Sequence, residues 1–201
     1  MRKLVAALTV RNNGQRLYAK PLQNISKGVT ILDQIINTLK HFSDIDEIMI
    51  GIAEGSENIG YIDFCNKRKL NYILGDETDM LERLIKCGEK SHATDIFRVT
   101  AECPFIWMDE FKKIWNIHIN NENDMTVTDN LPEGAAIEIY KLKTLKYIHE
   151  NCKKEYKSEI FSRYPRNNIN EFKVGVIEPP KSLQRVDIRL TVDYPEDLTF
   201  C

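Results

Sequence analysis

Short extended apolar runs alternate with helical patterns along the first two thirds of this 201-residue chain. That alternation restricts the fold more than any other feature. Leu4–Val10 is a continuous apolar run, and Ile31, Ile35, Ile36 and Leu39 then lie at helical spacing within 30–42. Glu47–Ala53 reads as a strand with Ile48, Ile50 and Ile52 on one side and Met49 and Gly51 on the other. A helix over 57–69, a strand at 72–74, a helix capped by Thr78, a strand at 95–100 and a helix over 108–120 complete the rhythm. Within the Thr78-capped helix, Leu81, Leu84, Ile85 and Gly88 share a face. Strands separated by about a dozen helical residues imply βαβ units with right-handed crossovers. The expected fold is therefore α/β, a Rossmann-like, mostly parallel sheet flanked by helices.

From about residue 124 the rhythm changes. Residues 125–128 and 135–140 look extended on either side of the turn-rich 129–134, helices follow near 142–152 and 155–164, and 173–178 and 187–192 are strand-like. Residues 1–201 are expected to form a single domain, with a small flap or dimerisation arm within 129–185.

At this length the chain buries about 70% of its unfolded surface and needs no disulfide or structural metal to fold. Its net charge of −2, from 28 basic and 30 acidic residues, argues against a nucleic-acid-coating surface. The five cysteines are odd in number and widely spaced, without a CxxC pair. This pattern fits a reducing compartment rather than a disulfide framework or a zinc knuckle. The apolar run after Met1-Arg2-Lys3 is too short to span a membrane and reads as a buried first strand. A cytoplasmic protein with no membrane or nucleic-acid partner is expected.

Three motifs carry chemistry. The loop after the first strand holds Arg11, Arg16 and Lys20 around Gly14, where neither a G-x-G-x-x-G fingerprint nor a P-loop is present. Such a loop suits a triphosphate held by charge-assisted hydrogen bonds, although a solvated basic loop has the same composition. The second and third motifs are acids that close apolar runs just before a proline: Glu102 before Cys103-Pro104, and Asp193 before Tyr194-Pro195. Acids at the carboxyl ends of strands lie where open α/β sheets bind ligands. Two of them on one crevice would hold a divalent cation such as Mg²⁺ against phosphate oxygens. Read locally, Glu102 is equally a capping or salt-bridging acid and Asp193 a helix N-cap. Cys103 has no histidine near it in sequence and reads as a packed small residue. The four histidines show no metal spacing, Trp107 and Trp115 read as core residues, and the acids at 76–79 read as a capped helix start or a ligand contact.

Together and in order, these motifs resemble the cytidylyltransferases of the spore-coat polysaccharide SpsF type, relatives of the CMP-sialic acid and CMP-Kdo synthetases. The family's opening A-R-x-G-S-T-R-L-P-G-K-x-L is matched by Arg11, Gly14, Arg16, Leu17, Lys20 and Leu22. Its G-x-x-x-D-V-L-x-R is matched by 75–83, its R-L-T-x-D-C-P-L-I by 98–106, and its P-x-G-x-D-V-E-V-F by 132–140. Its closing R-L-T-V-D-x-P-E-D-L is matched by 189–198.

The resemblance implies transfer of CMP from CTP to a sugar-acid-like acceptor with release of pyrophosphate, in surface-glycan precursor synthesis, by a homodimer. It implies that Arg11 and Lys20 are catalytic, and that Arg11, Gly14, Arg16, Lys20, Gly75, Asp76, Arg98 and Thr100 bind the nucleotide. Glu102 and Asp193 would hold Mg²⁺, and Glu138 and Glu159 would bind the acceptor. Several positions depart from the pattern: Glu102 stands for an aspartate, Tyr18 for the loop proline, Gln15 for a small hydroxyl residue, Ala136 for an acid, and Ser158-Glu159 for an acid-His pair. Two other classes fit parts of the pattern: an inactive nucleotide-binding paralogue acting as a partner or regulator, and a nucleotide-sugar glycosyltransferase. The D-x-D motif common in the latter is absent at 102–104.

Overall fold

The apolar run at the amino terminus becomes an interior strand flanked on both sides by other strands. In the computed structural model, which describes residues 2–12 and 16–201, the chain runs β1 (Leu4–Val10), β2 (Asn24–Ser26), β3 (Val29–Thr30), α1 (Ile31–Leu39), β4 (Glu47–Ala53), α2 (Ile59–Arg68) and β5 (Asn71–Gly75). It continues through α3 (Met80–Lys90), β6 (Asp95–Thr100), α4 (Phe111–Asn120), β7 (Met125–Thr128), β8 (Glu138–Lys141), α5 (Leu142–Asn151), α6 (Arg163–Asn167) and β9 (Val174–Ile177). Seven strands form one sheet in the order β5-β4-β1-β6-β8-β7-β9. Only β8 runs against its neighbours; β5, β4, β1 and β6 pair in parallel, as do β7 and β9. The expected α/β class and mostly parallel sheet are thus what the chain forms.

Alternation along β1 divides the core. Leu4, Ala6, Leu8 and Val10 join the α1, α2 and α4 side, with Ile35, Phe64, Phe111 and Ile114. Val5 and Ala7 join the α3 and α5 side, with Leu81, Leu84, Leu145 and Ile148. Burying each large aliphatic side chain stabilises the fold by roughly 1.5–3 kcal/mol, so both sheet faces must be covered. The helix starts have local causes. Thr30 caps α1 in a reciprocal box with Asp33. Asp79, rather than the expected Thr78, caps α3 by accepting from Glu82 N at 2.8 Å, while Thr78 donates to Asp76.

Two expected elements differ. The helix over 155–164 is instead two 3-10 turns, Lys154–Lys157 and Glu159–Ser162, followed by the short α6. Ser158 is extended and breaks the pattern, while Phe161 is buried against Tyr140 at 5.3 Å. Residues 187–192 join no sheet: Asp187 lies in a turn and Arg189 makes an isolated bridge to Glu133. Leu190 N donates to Glu133 O (2.8 Å) and Val192 N to Glu102 O (2.9 Å), so this segment pairs with two loops instead of a strand. Within 129–185, β8 sits inside the sheet and α5 and Phe161 pack in the core, so much of this stretch belongs to the body of the fold. No described helix is long and apolar enough to cross a membrane.

Candidate active site

Strand register places the first two motifs side by side. β1 and β6 are parallel neighbours with Thr9 opposite Thr100, so the loops leaving their carboxyl ends, at Arg11 and at Ala101–Glu102, emerge together. The chain moves outward from β1 to β4 and β5, then returns to the other side of β1 with β6. A crevice opens at such a reversal point in doubly wound sheets, and here it is a cavity of about 260 Å³.

The described part of the basic loop is pinned at its base. Asn12 N donates to the buried Asn58 Oδ1 (2.7 Å), Asn12 Nδ2 donates to Glu57 O (3.0 Å), and Asn12 Oδ1 accepts from Ala19 N (3.0 Å). Ala19 then takes a left-handed conformation, φ 46°, and turns Lys20 back into the crevice. Gly14 lies outside the described residues.

The third motif arrives from the far end of the chain. The backbone bond from Val192 to Glu102 lays Asp193 beside Glu102, and both carboxylates meet the Lys20 ammonium. Lys20 Nζ donates to Glu102 Oε2 at 3.1 Å and to Asp193 Oδ1 at 2.6 Å. Burial disfavours the lysine charge, but bonds and charge from Asp193 and Glu102 outweigh it and hold Lys20 above its ordinary 10.5. Arg16 approaches Asp193 at 3.9 Å and stacks over Tyr194 at 5.1 Å.

These carboxylates suit a hard cation. Their oxygens converge on a single Lys20 atom, and Mg²⁺ takes one or two protein carboxylates with phosphate oxygens and water completing its shell. No group of three or more His, Cys, Asp or Glu converges among the described residues, so bound phosphate would have to contribute. Arg11, Arg16, Lys20, Arg98, Thr100, Glu102, Glu159 and Asp193 all line this cavity.

A second recess of about 300 Å³ adjoins the first, sharing Arg98, Thr100, Glu102 and Asp193 and adding Glu133, Gly134, Ala136 and Glu138. Antiparallel pairing of β6 with β8 sets Arg98 opposite Glu138, and the two bond at 2.9 Å. Glu138 also accepts from Tyr140 Oη (2.9 Å), and Arg98 lies 5.2 Å from the Phe161 ring. Glu138 is therefore committed to Arg98 and Tyr140, and Glu159 lies on the first cavity rather than the second. Gly75 and Asp76 line neither. They lie at the end of the edge strand β5, where the Asp76 carboxylate accepts from Thr78 N and Asp79 N at 2.8 Å and shapes the start of α3. Burial pushes the Cys103 thiol up to about 12, which makes it a poor nucleophile at neutral pH.

Four contributors were invisible to motif reading alone. Arg83, 2% exposed, lines the crevice and donates to the Asp76 and Glu77 carbonyls, while its Nε is buried without a partner. Arg189 bonds Asp193 (3.3 Å) and Asp197, and Asp197 accepts from the backbone N–H of Asp193 (2.7 Å) and Tyr194 (2.8 Å). The closing motif is thus a self-bracing turn that aims Asp193. Asn58 anchors the basic loop. Arg83, Arg189 and Asp197 stood inside the quoted motifs, but only side-chain geometry gives them work.

A crossover-point cavity lined by five cations and three acids lies where α/β enzymes bind their ligands. The sequence pattern of the cytidylyltransferase family matches residues 6–200, and the chain belongs to that family of nucleotidyltransferases. It is 23% identical over 203 residues to the spore coat polysaccharide biosynthesis protein SpsF of Bacillus subtilis, covering 98% of this chain and 84% of that one. Among solved structures, a cytidylyltransferase from Leptospira borgpetersenii superposes with a TM-score of 0.87 at 21% identity, over 98% of this chain and 84% of that one. The CMP-2-keto-3-deoxy-manno-octonic acid synthetase solved with CTP superposes with a TM-score of 0.73 at 12% identity, over 98% and 96% of the two chains.

Proposed function

We propose that this chain transfers CMP from CTP to the hydroxyl of a small acceptor, releasing pyrophosphate. The observation that carries this reading is the convergence of Glu102 and Asp193 on Lys20, beside a loop that adds Arg11 and Arg16. The triphosphate lies along Arg11, Arg16 and Lys20, with Arg98 and Thr100 on the opposite wall. Glu102 and Asp193 would hold a divalent cation, Mg²⁺ in this reading, which would supply charge neutralisation. Lys20 orients the two carboxylates before the nucleotide enters and turns to the phosphates afterwards. The acceptor oxygen forms a bond to the α-phosphorus while the bond from that phosphorus to the bridging oxygen breaks. Pyrophosphate leaves with the electron pair, and the hydroxyl proton passes to water. Such transfers depend on positioning and charge neutralisation, so no protein nucleophile is needed.

The SpsF relative supports a role in making a surface-glycan precursor, and a homodimer contact formed within 129–185, in the cytoplasm, is part of this reading. The test is pyrophosphate release from each of the four nucleoside triphosphates with Mg²⁺ and an acceptor panel. CTP is expected to give the largest rate, whereas transfer from a nucleotide-sugar without pyrophosphate would favour a glycosyltransferase.

A further inference from the structure

The closing motif leaves one position open. In R-L-T-V-D-x-P-E-D-L, matched by 189–198, the unspecified residue is here Tyr194. Its backbone is fixed on both sides: the N–H donates to Asp197 Oδ2 (2.8 Å), the carbonyl accepts from Asp197 N (3.1 Å), and Pro195 follows. Its ring is 44% exposed and belongs to neither hydrophobic core. A braced turn thus holds a large flat ring at the surface, next to Asp193, without burying it.

Two guanidinium groups use that ring. Arg16 lies over it at 5.1 Å and Arg189 at 5.9 Å, both within reach of a cation–π contact. Their donors are in different states. Arg189 spends its donors on Asp193 (3.3 Å) and Asp197. Arg16 reaches Asp193 only at 3.9 Å, which is too long for a hydrogen bond. Arg16 lines the crevice with its side chain about half exposed, whereas Tyr194 does not line it.

How a guanidinium is held decides what it can still bind. Held by a carboxylate, it spends N–H donors there, and a fork-to-fork pair with Asp193 would tie up that acid too. Stacked on a ring, it is held through its face, and its N–H edge stays free for phosphate oxygens. An arginine held by neither loses many rotamers when it grips an anion. Resting on the cytidylyl-transfer reading, we infer that Tyr194 is a positioning residue for the triphosphate. Its ring parks the Arg16 guanidinium at the rim of the crevice, clear of a hydrogen bond to Asp193 and ready for phosphate. Tyr194 acts through Arg16, so the ring matters and the hydroxyl does not.

The experiment titrates a non-hydrolysable CTP analogue, with Mg²⁺ present, into the wild-type protein and four variants in a calorimeter. The variants are Tyr194→Phe, Tyr194→Leu, Arg16→Ala, and Arg16→Ala combined with Tyr194→Leu. Tyr194→Leu keeps an apolar side chain but removes the π face, and is expected to weaken binding about two- to fivefold. Tyr194→Phe is expected to bind as tightly as wild type. In the Arg16→Ala background, Tyr194→Leu is expected to cost nothing further. Wild-type affinity in Tyr194→Leu, or a phenylalanine variant as weak as the leucine one, overturns the inference. So do losses that multiply in the double variant, which mark a ring that supports the turn instead of Arg16. All three of these outcomes leave the nucleotide reading standing. An analogue that fails to bind the wild-type protein removes that reading and the inference with it.

Discussion

The two halves of the cleft are made of different material. The crevice proposed for the nucleotide rests on the ends of β1 and β6, whose register is fixed by continuous parallel pairing. The adjoining recess is walled by loops at 102–106 and 133–136 and by the 191–193 segment, joined to one another by backbone bonds and one bridge at Glu133 and Arg189. One half is built on strand ends and lined mainly by cations; the other is built on loops and lined mainly by acids. A fold can therefore keep one cofactor-like substrate constant while exchanging the second, because the loops change without disturbing the sheet. Asp193 belongs to both halves, since the lightly held segment delivers it to the rigid one.

The largest test of that division is the shared pair. Glu102→Ala combined with Asp193→Ala should lower metal-dependent turnover by about a thousandfold, measured as pyrophosphate release across a Mg²⁺ titration. Retained turnover would show that the two halves do not meet at these carboxylates. Lys20→Ala should weaken CTP binding by about ten- to a hundredfold in calorimetry. The same change should strengthen Mg²⁺ binding to the nucleotide-free protein, because two carboxylates lose their shared ammonium. Unchanged values in both titrations would remove Lys20 from the meeting point.

The same division decides what sequence could reveal. β1, β4 and β6 announce themselves by unbroken apolar runs, and their neighbouring order follows from short right-handed crossovers. The convergence of Glu102 with Asp193 was legible because each acid ends a run and precedes a proline. The state of 187–192 was not legible: an alternating pattern looks like a strand whether its partners are a strand or two loops. Residues 155–164 have helical periodicity, yet burial of Phe161 and the extended Ser158 divide them into turns. Asp76 had the composition of a ligand, and only its bonds to Thr78 and Asp79 show its carboxylate spent on the start of α3. Arg98 with Glu138 needed knowledge that β8 inserts antiparallel beside β6, which no local signal supplies.

A smaller perturbation separates the halves kinetically. Gly134 has φ 92°, and a Cβ there would lie 3.0 Å from Thr191 N and 3.2 Å from Cys103 Sγ, all on the recess side. Gly134→Ala should cost about 1–2 kcal/mol in urea unfolding. It should also raise KM for the acceptor while leaving KM for CTP unchanged. Equal changes in both KM values would mean that the recess and the crevice move as one body.

The smallest expected effect lies in the rigid half, away from both cavities. Asp33 joins the cap of α1 to α2 by accepting a fork of bonds from Arg68, one of them 2.7 Å, while Arg68 stacks on Phe64 at 3.8 Å. Burial opposes the carboxylate, but Arg68 and Thr30 outweigh it and hold Asp33 below its ordinary 3.8. A depressed folded value means stability that is present above the unfolded value of about 3.9 and lost as pH falls through the folded one. Asp33→Asn should therefore cost about 1 kcal/mol at neutral pH in urea titrations. The gap from wild type should close as pH drops below about 3.9. Because α1 and α2 brace β1 rather than the loops, both KM values should stay put. A shift in acceptor KM alone would show that the sheet's own bracing reaches the recess, and the two halves would no longer be separable.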